Sequence, residues 1–348
     1  MKILIPRGKW EGGTIDFFGR AFENLGHEVK YCHKIREKNI SKITYYLKLR
    51  QIKKFETYIQ NKLDKKYNEN IISTAISFKP DILFSLNARF FPETIKFIKT
   101  LSVKTVSLVH DYPFDSTRFK YFPYTLQYFD SLFLAEMLWK QNIKNIAPQA
   151  EIYHMVGAYS PEKFHPVQLD RKEIKKYQCN VGFAGASYGN KAEGAYRAGI
   201  LSQISDYGLK IWGDKGWKNY IAKYYPNISN CYAGSRLNFD ELNKLYQITE
   251  ININLPNPQC LSTFQQRIFE VAAAKGFQIV DHRTDIYKYF NEDEIVTFKN
   301  IQELKNKIEF FLNNPDARKP YIDKAYKKVK YNHTYENRIK TIIEKINI

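Results

Sequence analysis

Long hydrophobic runs are missing from this 348-residue sequence. No stretch of about 18 apolar residues occurs, so no transmembrane helix is expected. The opening Met1-Lys2-Ile3-Leu4-Ile5-Pro6 is too short an apolar run for a signal peptide, which points to a cytoplasmic chain. Cysteine is scarce and scattered. Cys32, Cys179, Cys231 and Cys260 form no C-x-x-C pair and have no histidine at metal-ligand spacing. That argues against a zinc module and fits a thiol-reducing compartment. There is no Gly-x-Ser-x-Gly elbow, no Walker loop and no G-x-G-x-x-G fingerprint. Acidic residues are few: 36 Asp and Glu stand against 54 Lys and Arg, a formal charge of +18. Such a surface attracts anions, whether a nucleotide sugar, a nucleic acid or an acidic membrane face. A lysine-rich solubilising surface is the plainer reading.

What is present is an alternation of short apolar runs and amphipathic stretches. Lys2–Ile5 reads as a buried strand, followed by a glycine-containing loop over residues 6–13. Phe17, Phe18, Ala21 and Leu25 share one helix face, Gly26 ends that helix, and His27–Cys32 reads as the next strand. Further strands are expected at Asp81–Leu86, Thr105–Val109, Ser131–Ala135 and Glu151–Met155. The composition shifts near residues 156–175, where Gly157, Pro161, Pro166 and a charged run suggest a hinge. The pattern then restarts. Strands are expected at Asn180–Ala184, Leu209–Trp212, Ile251–Asn254, Phe277–Asp281 and Ile295–Phe298. Helices are expected near residues 191–206, at Thr263–Lys275, and near 301–313, 316–330 and 334–346. Strands alternating with helices imply parallel sheets. The expected organisation is α/β. Residues 1–165 form one domain, 166–330 a second, and 331–348 a C-terminal helix. The two sheets would face a central cleft, with ligands at the carboxyl ends of the strands.

Four places could carry chemistry. Gly185, Ser187 and Lys191 lie in a loop that leaves a strand and enters a helix, where backbone N–H groups and a lysine can meet a diphosphate. A tight structural turn is the alternative. Trp212 and Gly213 end a strand in a glycine-flanked loop that can hold a base, or else enclose a core tryptophan. Arg267 and Glu270 are three apart and share a helix face, so an ordinary surface ion pair is one reading. The other has Arg267 on a diphosphate and Glu270 accepting from ribose hydroxyls, with Ser262 and Thr263 available as caps. His110 and Asp111 follow a strand, where either can serve as a general base or simply hold a loop. Glu136 is a lesser candidate of the same kind. Asn291–Glu294 is acidic and reads as a solvated turn rather than a metal site.

Residues 34–70 are basic and interleaved with Tyr45, Tyr46, Leu47, Leu49, Ile52 and Phe55. They read as an amphipathic helix packed on the first domain, or as a dock for an acidic partner or membrane face.

Taken in order, several segments resemble the CgeB-like glycosyltransferases, named after a spore maturation protein, within the group 1 enzymes of GT-B fold. These are Phe78-Lys79-Pro80-Asp81-Ile82-Leu83-Phe84, Val109-His110-Asp111-Tyr112-Pro113, Val181-Gly182-Phe183-Ala184-Gly185 and Trp212-Gly213. Arg236-Leu237-Asn238, Ile251–Leu255 (which includes Asn254), Arg267–Gly276, and Asn332-His333-Thr334-Tyr335 with Arg338 complete the set. The resemblance implies two Rossmann-like domains, a nucleotide-diphosphate sugar donor held mainly by the C-terminal one, a terminal helix over 331–348 that can cross back to the first domain, and no metal or further cofactor. By position, Glu270 matches the family's ribose-binding glutamate, and Arg267 and Lys191 its diphosphate contacts. One position departs. Many group 1 enzymes carry a second glutamate eight residues before the ribose one, and here that residue is Ser262, so the sequence leaves retention or inversion open. The implied activity is sugar transfer to a hydroxyl of a glycan, a lipid-linked glycan or a protein. The alternatives are a nucleic-acid-modifying transferase, or a non-catalytic nucleotide-sugar or nucleic-acid binding protein of the same fold.

Overall fold

The structure is a computed structural model and describes residues 1–7, 13–33, 53–87, 90–114, 121–189 and 191–347. Residues 34–52 of the basic segment, residues 8–12 of the first loop, and Asn190 lie outside the described residues. The chain divides into two compact units. One comprises Met1–Met155 with Arg338–Ile348, the other Val156–Asn337.

The first unit is built on β1 (Lys2–Arg7), β2 (Glu28–His33), β3 (Ile82–Leu86), β4 (Lys104–Val109), β5 (Ser131–Leu134) and β6 (Glu151–His154). They form one sheet in the order β2-β1-β3-β4-β5-β6, with every pair parallel. Ile3, Leu4 and Ile5, and Ile82, Leu83 and Phe84, are each wholly buried in sequence. Consecutive buried residues mean that both sheet faces are covered, as parallel sheets require. Helix α1 (Thr14–Asn24) sets Phe18 and Phe22 against Phe84, with ring centroids 5.5 and 5.1 Å apart. Helix α2 (Lys53–Phe78) buries Tyr67, Ile71 and Ala75, spaced a turn apart, in the same core as Leu4 and Leu83. Asn68 of α2 accepts from Phe91 N at 2.7 Å and Thr94 Oγ1 at 2.6 Å, serving donors at the start of α3 (Pro92–Thr100). The last helix of the chain spans Tyr335–Ile346, and its residues from Arg338 onward group with this unit. Lys345 offers its carbonyl to the Tyr153 hydroxyl at 3.1 Å.

The second unit holds β7 (Val181–Ala184), β8 (Leu209–Trp212), β9 (Tyr232–Gly234), β10 (Ile251–Asn254), β11 (Gln278–Asp281) and β12 (Val296–Phe298). Their order is β12-β11-β10-β7-β8-β9, again parallel throughout. The chain runs from β7 outward to β9, then returns to the other side of β7 and runs out to β12. The switch point therefore lies between β7 and β10, where ligands of open α/β sheets bind beyond the carboxyl ends. The division at Met155–Val156 comes earlier than the residue 165 expected from composition. Phe164 explains this: its ring stacks on Tyr246, 6.1 Å between centroids, so the segment after Met155 packs into the second core.

Helices α4 (Ala192–Ser202) and α5 (Phe239–Ile248) follow β7 and β9. Helix α6 spans only Arg267–Ala273, not the expected Thr263–Lys275. Ser262 and Thr263 do not cap it; Gln266 occupies the cap position. The preceding loop is tied elsewhere. Arg283 Nε donates to Cys260 O at 2.8 Å, and Ser262 Oγ to Asp285 Oδ2 at 3.3 Å. Helices α7 (Ile301–Asn313) and α8 (Lys319–Asn332) complete this unit. Asn291–Glu294 proves more than a solvated turn. Asp293 pairs with Lys324 at 2.7 Å and Glu294 with Lys328 at 3.3 Å, which ties the turn to α8.

Candidate functional site

The loop after β7 is shaped by glycines with no room for a side chain. A Cβ on Gly185 would stand 2.9 Å from the Phe183 ring, and one on Gly213 would overlap the Gly185 carbonyl oxygen. Trp217, wholly buried, donates its indole N–H to that same carbonyl at 2.9 Å. Asp214 pins the loop from β8: it accepts from Ser187 N at 2.8 Å, Ser187 Oγ at 2.5 Å and Gly216 N at 2.9 Å. These three donors hold the Asp214 carboxyl below its ordinary range despite burial, which pushes it upward. Tyr188 and Gly189 then take left-handed φ values of 55° and 56°. For a tyrosine that conformation is strained, and such strain gathers at functional loops.

Two arginines approach the Phe183 ring below this loop, Arg197 buried and Arg267 half-buried. Arg197, on α4, donates from Nη1 to Ala186 O and from Nη2 to Leu255 O, both at 3.2 Å. It thus bridges the loops after β7 and β10 at the switch point. Its guanidinium carbon lies 4.8 Å from the Tyr188 ring centroid and 5.8 Å from that of Phe183. Arg267, the first residue of α6, stands 5.9 Å from the same Phe183 centroid. Among the described residues, Arg197 Nε and Arg267 Nε and Nη1 are buried without a hydrogen-bond partner. Burial lowers the Arg197 pKa to about 10, with Tyr188 opposing and the Arg267 charge adding to the shift. It remains a cation at neutral pH. Arg267 is raised, because Tyr246 and Glu270 outweigh the cost of burial.

Glu270 is 7% exposed and accepts from Gln266 Nε2 at 3.2 Å. Burial pushes its carboxyl up to about 7, against the pull of Arg267 and Gln266. Arg267 and Glu270 are therefore no exposed ion pair: Glu270 is buried and Arg267 half-buried.

The other expected residues take different places. Ser187 is 1% exposed, and its hydroxyl is spent on Asp214 and on Gly189 N. Trp212 is buried in the apolar cluster with Ala184, Leu245 and Tyr246. Asn254 is 3% exposed and donates to Gln278 Oε1 at 3.2 Å. Lys191 is exposed at the cap position of α4. Arg197, Tyr188 and Asp214 escaped the sequence reading. Arg197 had one available signal: it lies one turn before the buried Leu201 on an otherwise apolar helix face.

In the first unit, His110 and Asp111 follow β4 and are held by Asn87, which follows β3. Asn87 Nδ2 donates to Asp111 Oδ2 at 2.7 Å, and Asn87 Oδ1 accepts from His110 N at 2.9 Å. Burial, and then the Arg338 charge, lower the His110 pKa to about 4, so the ring is neutral at pH 7. Its Nε2 is buried without a hydrogen-bond partner among the described residues. At that basicity the imidazole accepts a proton about as well as an ordinary carboxylate does, so both His110 and Asp111 remain base candidates. Glu136 is wholly buried and accepts from Leu138 N at 3.1 Å at the start of a short turn, a structural duty.

A family model described as "Glycosyl transferase-like" matches residues 197–344. The spore protein CgeB of Bacillus subtilis (strain 168) is 22% identical over 205 residues, a match spanning 53% of this chain and 61% of that protein. Among solved structures, sucrose-phosphate synthase from Thermosynechococcus elongatus aligns with a TM-score of 0.68 at 9% identity, covering 99% of both chains. A glycosyltransferase from Rickettsia africae ESF-5 aligns with a TM-score of 0.67 at 14% identity, over 99% of this chain and 97% of that one. Anabaena Alr3699/HepE in complex with UDP and glucose aligns with a TM-score of 0.63 at 11% identity, over 100% and 99%. The chain thus has the two-unit α/β fold of GT-B glycosyltransferases, and over part of its length it is similar in sequence to the glycosyltransferase-like family model and to CgeB.

Proposed function

We propose that this protein transfers a sugar from a nucleotide-diphosphate sugar to a hydroxyl of a glycan, lipid-linked glycan or protein, without a catalytic metal. One observation carries the reading. The guanidinium groups of Arg197 and Arg267 both approach the Phe183 ring near the switch point of the second unit, and among the described residues Arg197 Nε and Arg267 Nε and Nη1 are buried without a hydrogen-bond partner. Like charges buried together are costly, and so are unpaired buried donors. A ligand with two adjacent anionic groups relieves both costs, and a diphosphate is such a ligand.

In this reading Arg267 and Arg197 take the diphosphate, with Lys191 and the N–H groups of the Gly185 loop closing over it. Glu270 accepts from the ribose hydroxyls. Trp212, Gly213, Ser187 and Asn254 shape the walls rather than touch the ligand. As the acceptor oxygen bonds to the anomeric carbon, the bond from that carbon to the phosphate oxygen breaks. Its electron pair leaves with the nucleoside diphosphate, whose growing charge the arginines neutralise. Asp111 takes the acceptor's proton. His110, neutral, offers hydrogen bonding without adding charge.

The test is a thermal-shift panel of nucleoside diphosphates and their sugars, run without metal and then with magnesium. At about 100 times its dissociation constant a ligand adds about 2.7 kcal/mol of stability. The reading expects a shift with one diphosphate nucleotide that does not need magnesium and is lost in Arg267→Ala. A shift only with nucleic acid, or none at all, overturns it.

A further inference from the structure

Asn87 makes more directed contacts than any loop residue of the first unit discussed above. It is 6% exposed and takes a left-handed φ of 46° at the end of β3. Its backbone N–H donates to Leu108 O on the neighbouring strand at 2.9 Å. Its Oδ1 accepts from two successive backbone donors, His110 N at 2.9 Å and Asp111 N at 3.3 Å. Its Nδ2 donates to Asp111 Oδ2 at 2.7 Å.

The chemistry singles out asparagine. Its amide offers an acceptor with two lone pairs on one side and a donor on the other, and asparagine tolerates the left-handed region. Aspartate has the same shape and can serve both backbone N–H groups, but it has no donor for Asp111. Glycine suits the backbone angle and has neither.

We propose that Asn87 is a positioning residue: it fixes the turn carrying His110 and Asp111 and, through Nδ2, aims the Asp111 carboxylate at the proton it receives. This rests on the reading of Asp111 as the base. It makes β3, and not only β4, part of the acid–base apparatus.

The experiment uses the full chain, with UDP-glucose hydrolysis as the probe because water then stands in for the acceptor. Asn87→Gly, Asn87→Asp and Asp111→Asn are compared with the parent. Both Asn87 variants are expected to lose about tenfold or more in kcat, with KM held within about twofold and the UDP thermal shift intact. An Asn87→Asp enzyme with the parent's kcat would overturn the proposal, since the turn alone would then be what matters. A second readout does not depend on turnover. In asparagine-labelled protein, Asp111→Asn is expected to move the Asn87 side-chain amide resonance. An unmoved resonance also overturns the proposal. If the resonance moves while Asp111→Asn hydrolyses donor as the parent does, the positioning contact stands and the assignment of Asp111 as base falls.

Discussion

Arg197 and Arg267 come from different helices to the same aromatic ring, their guanidinium carbons 5.8 and 5.9 Å from the centroid of Phe183. Neither is neutralised by a carboxylate within ion-pair distance among the described residues; the nearest acidic influence on Arg267 is Glu270, itself pushed toward its protonated form. The unliganded protein carries the Arg197 charge at a cost to its own stability, whereas at Arg267 Tyr246 and Glu270 offset the cost of burial.

Arg267→Met should therefore separate stability from binding. Arg267 is half-buried and its charge is favoured by Tyr246 and Glu270, so replacing it at similar volume should cost the free protein only about 1–2 kcal/mol. Nucleotide affinity should fall by about a hundredfold, the scale of a lost charge-assisted contact. Urea melts and calorimetric titration on the same preparation check both. A variant that is unstable and binds normally would contradict the assignment.

Glu270 gives a pH dependence of defined sign. Its folded pKa is raised from 4.5 to about 7, so the folded state holds an extra proton between those values. Stability of the free protein should decline as pH rises through that window, by up to about 3 kcal/mol, and Glu270→Gln should lack the decline. Nucleotide binding should run the other way. Ribose hydroxyls favour the carboxylate, so affinity relative to Glu270→Gln rises as pH passes about 7.

His110 slopes oppositely. Its folded pKa lies near 4, below the ordinary 6.5, so the unfolded chain binds the extra proton in between. The His110 contribution is complete above pH 6.5 and is lost as pH falls toward 4, at most about 3 kcal/mol. Denaturant melts of the parent and His110→Gln across this range should converge at low pH. Parallel curves would count against a buried neutral ring.

Two glycines of the second unit predict opposite outcomes for one substitution. A Cβ on Gly213 overlaps the Gly185 carbonyl and lies 2.7 Å from Trp217 Nε1, so Gly213→Ala should cost more than about 2 kcal/mol. Gly199 sits within α4 with its nearest neighbour, the Tyr225 hydroxyl, 3.6 Å away, so Gly199→Ala should stabilise by about 0.5–1 kcal/mol. Thermal melts distinguish them.

Most strands were legible because parallel sheets buried on both faces leave short continuous apolar runs, as in Ile3–Ile5 and Ile82–Phe84. The three-residue β9 was not, since Tyr232, Ala233 and Gly234 carry little apolar pattern. In the site, Arg267 and Glu270 were visible through their helical spacing. Arg197 was not, because an arginine turned inward looks like any surface arginine until the loops that accept its hydrogen bonds are placed. The same holds for Asn87 and Asp214: their roles depend on partners on neighbouring strands, a relation no local spacing encodes. Ser187 and Trp212 stand out in the sequence because they flank glycine loops, and the fold shows the further contacts they make there, with Asp214 and with an apolar cluster.

The most direct test of sugar transfer is to incubate the protein with the nucleotide sugar chosen by the binding panel and follow the anomeric phosphate linkage by phosphorus NMR. The account predicts that the linkage disappears, nucleoside diphosphate accumulates, and both effects drop steeply in Asp111→Asn and Arg267→Met. A donor that binds tightly yet stays intact, with and without glycan and lipid-linked acceptors, would contradict transfer and leave a nucleotide-sugar binding protein.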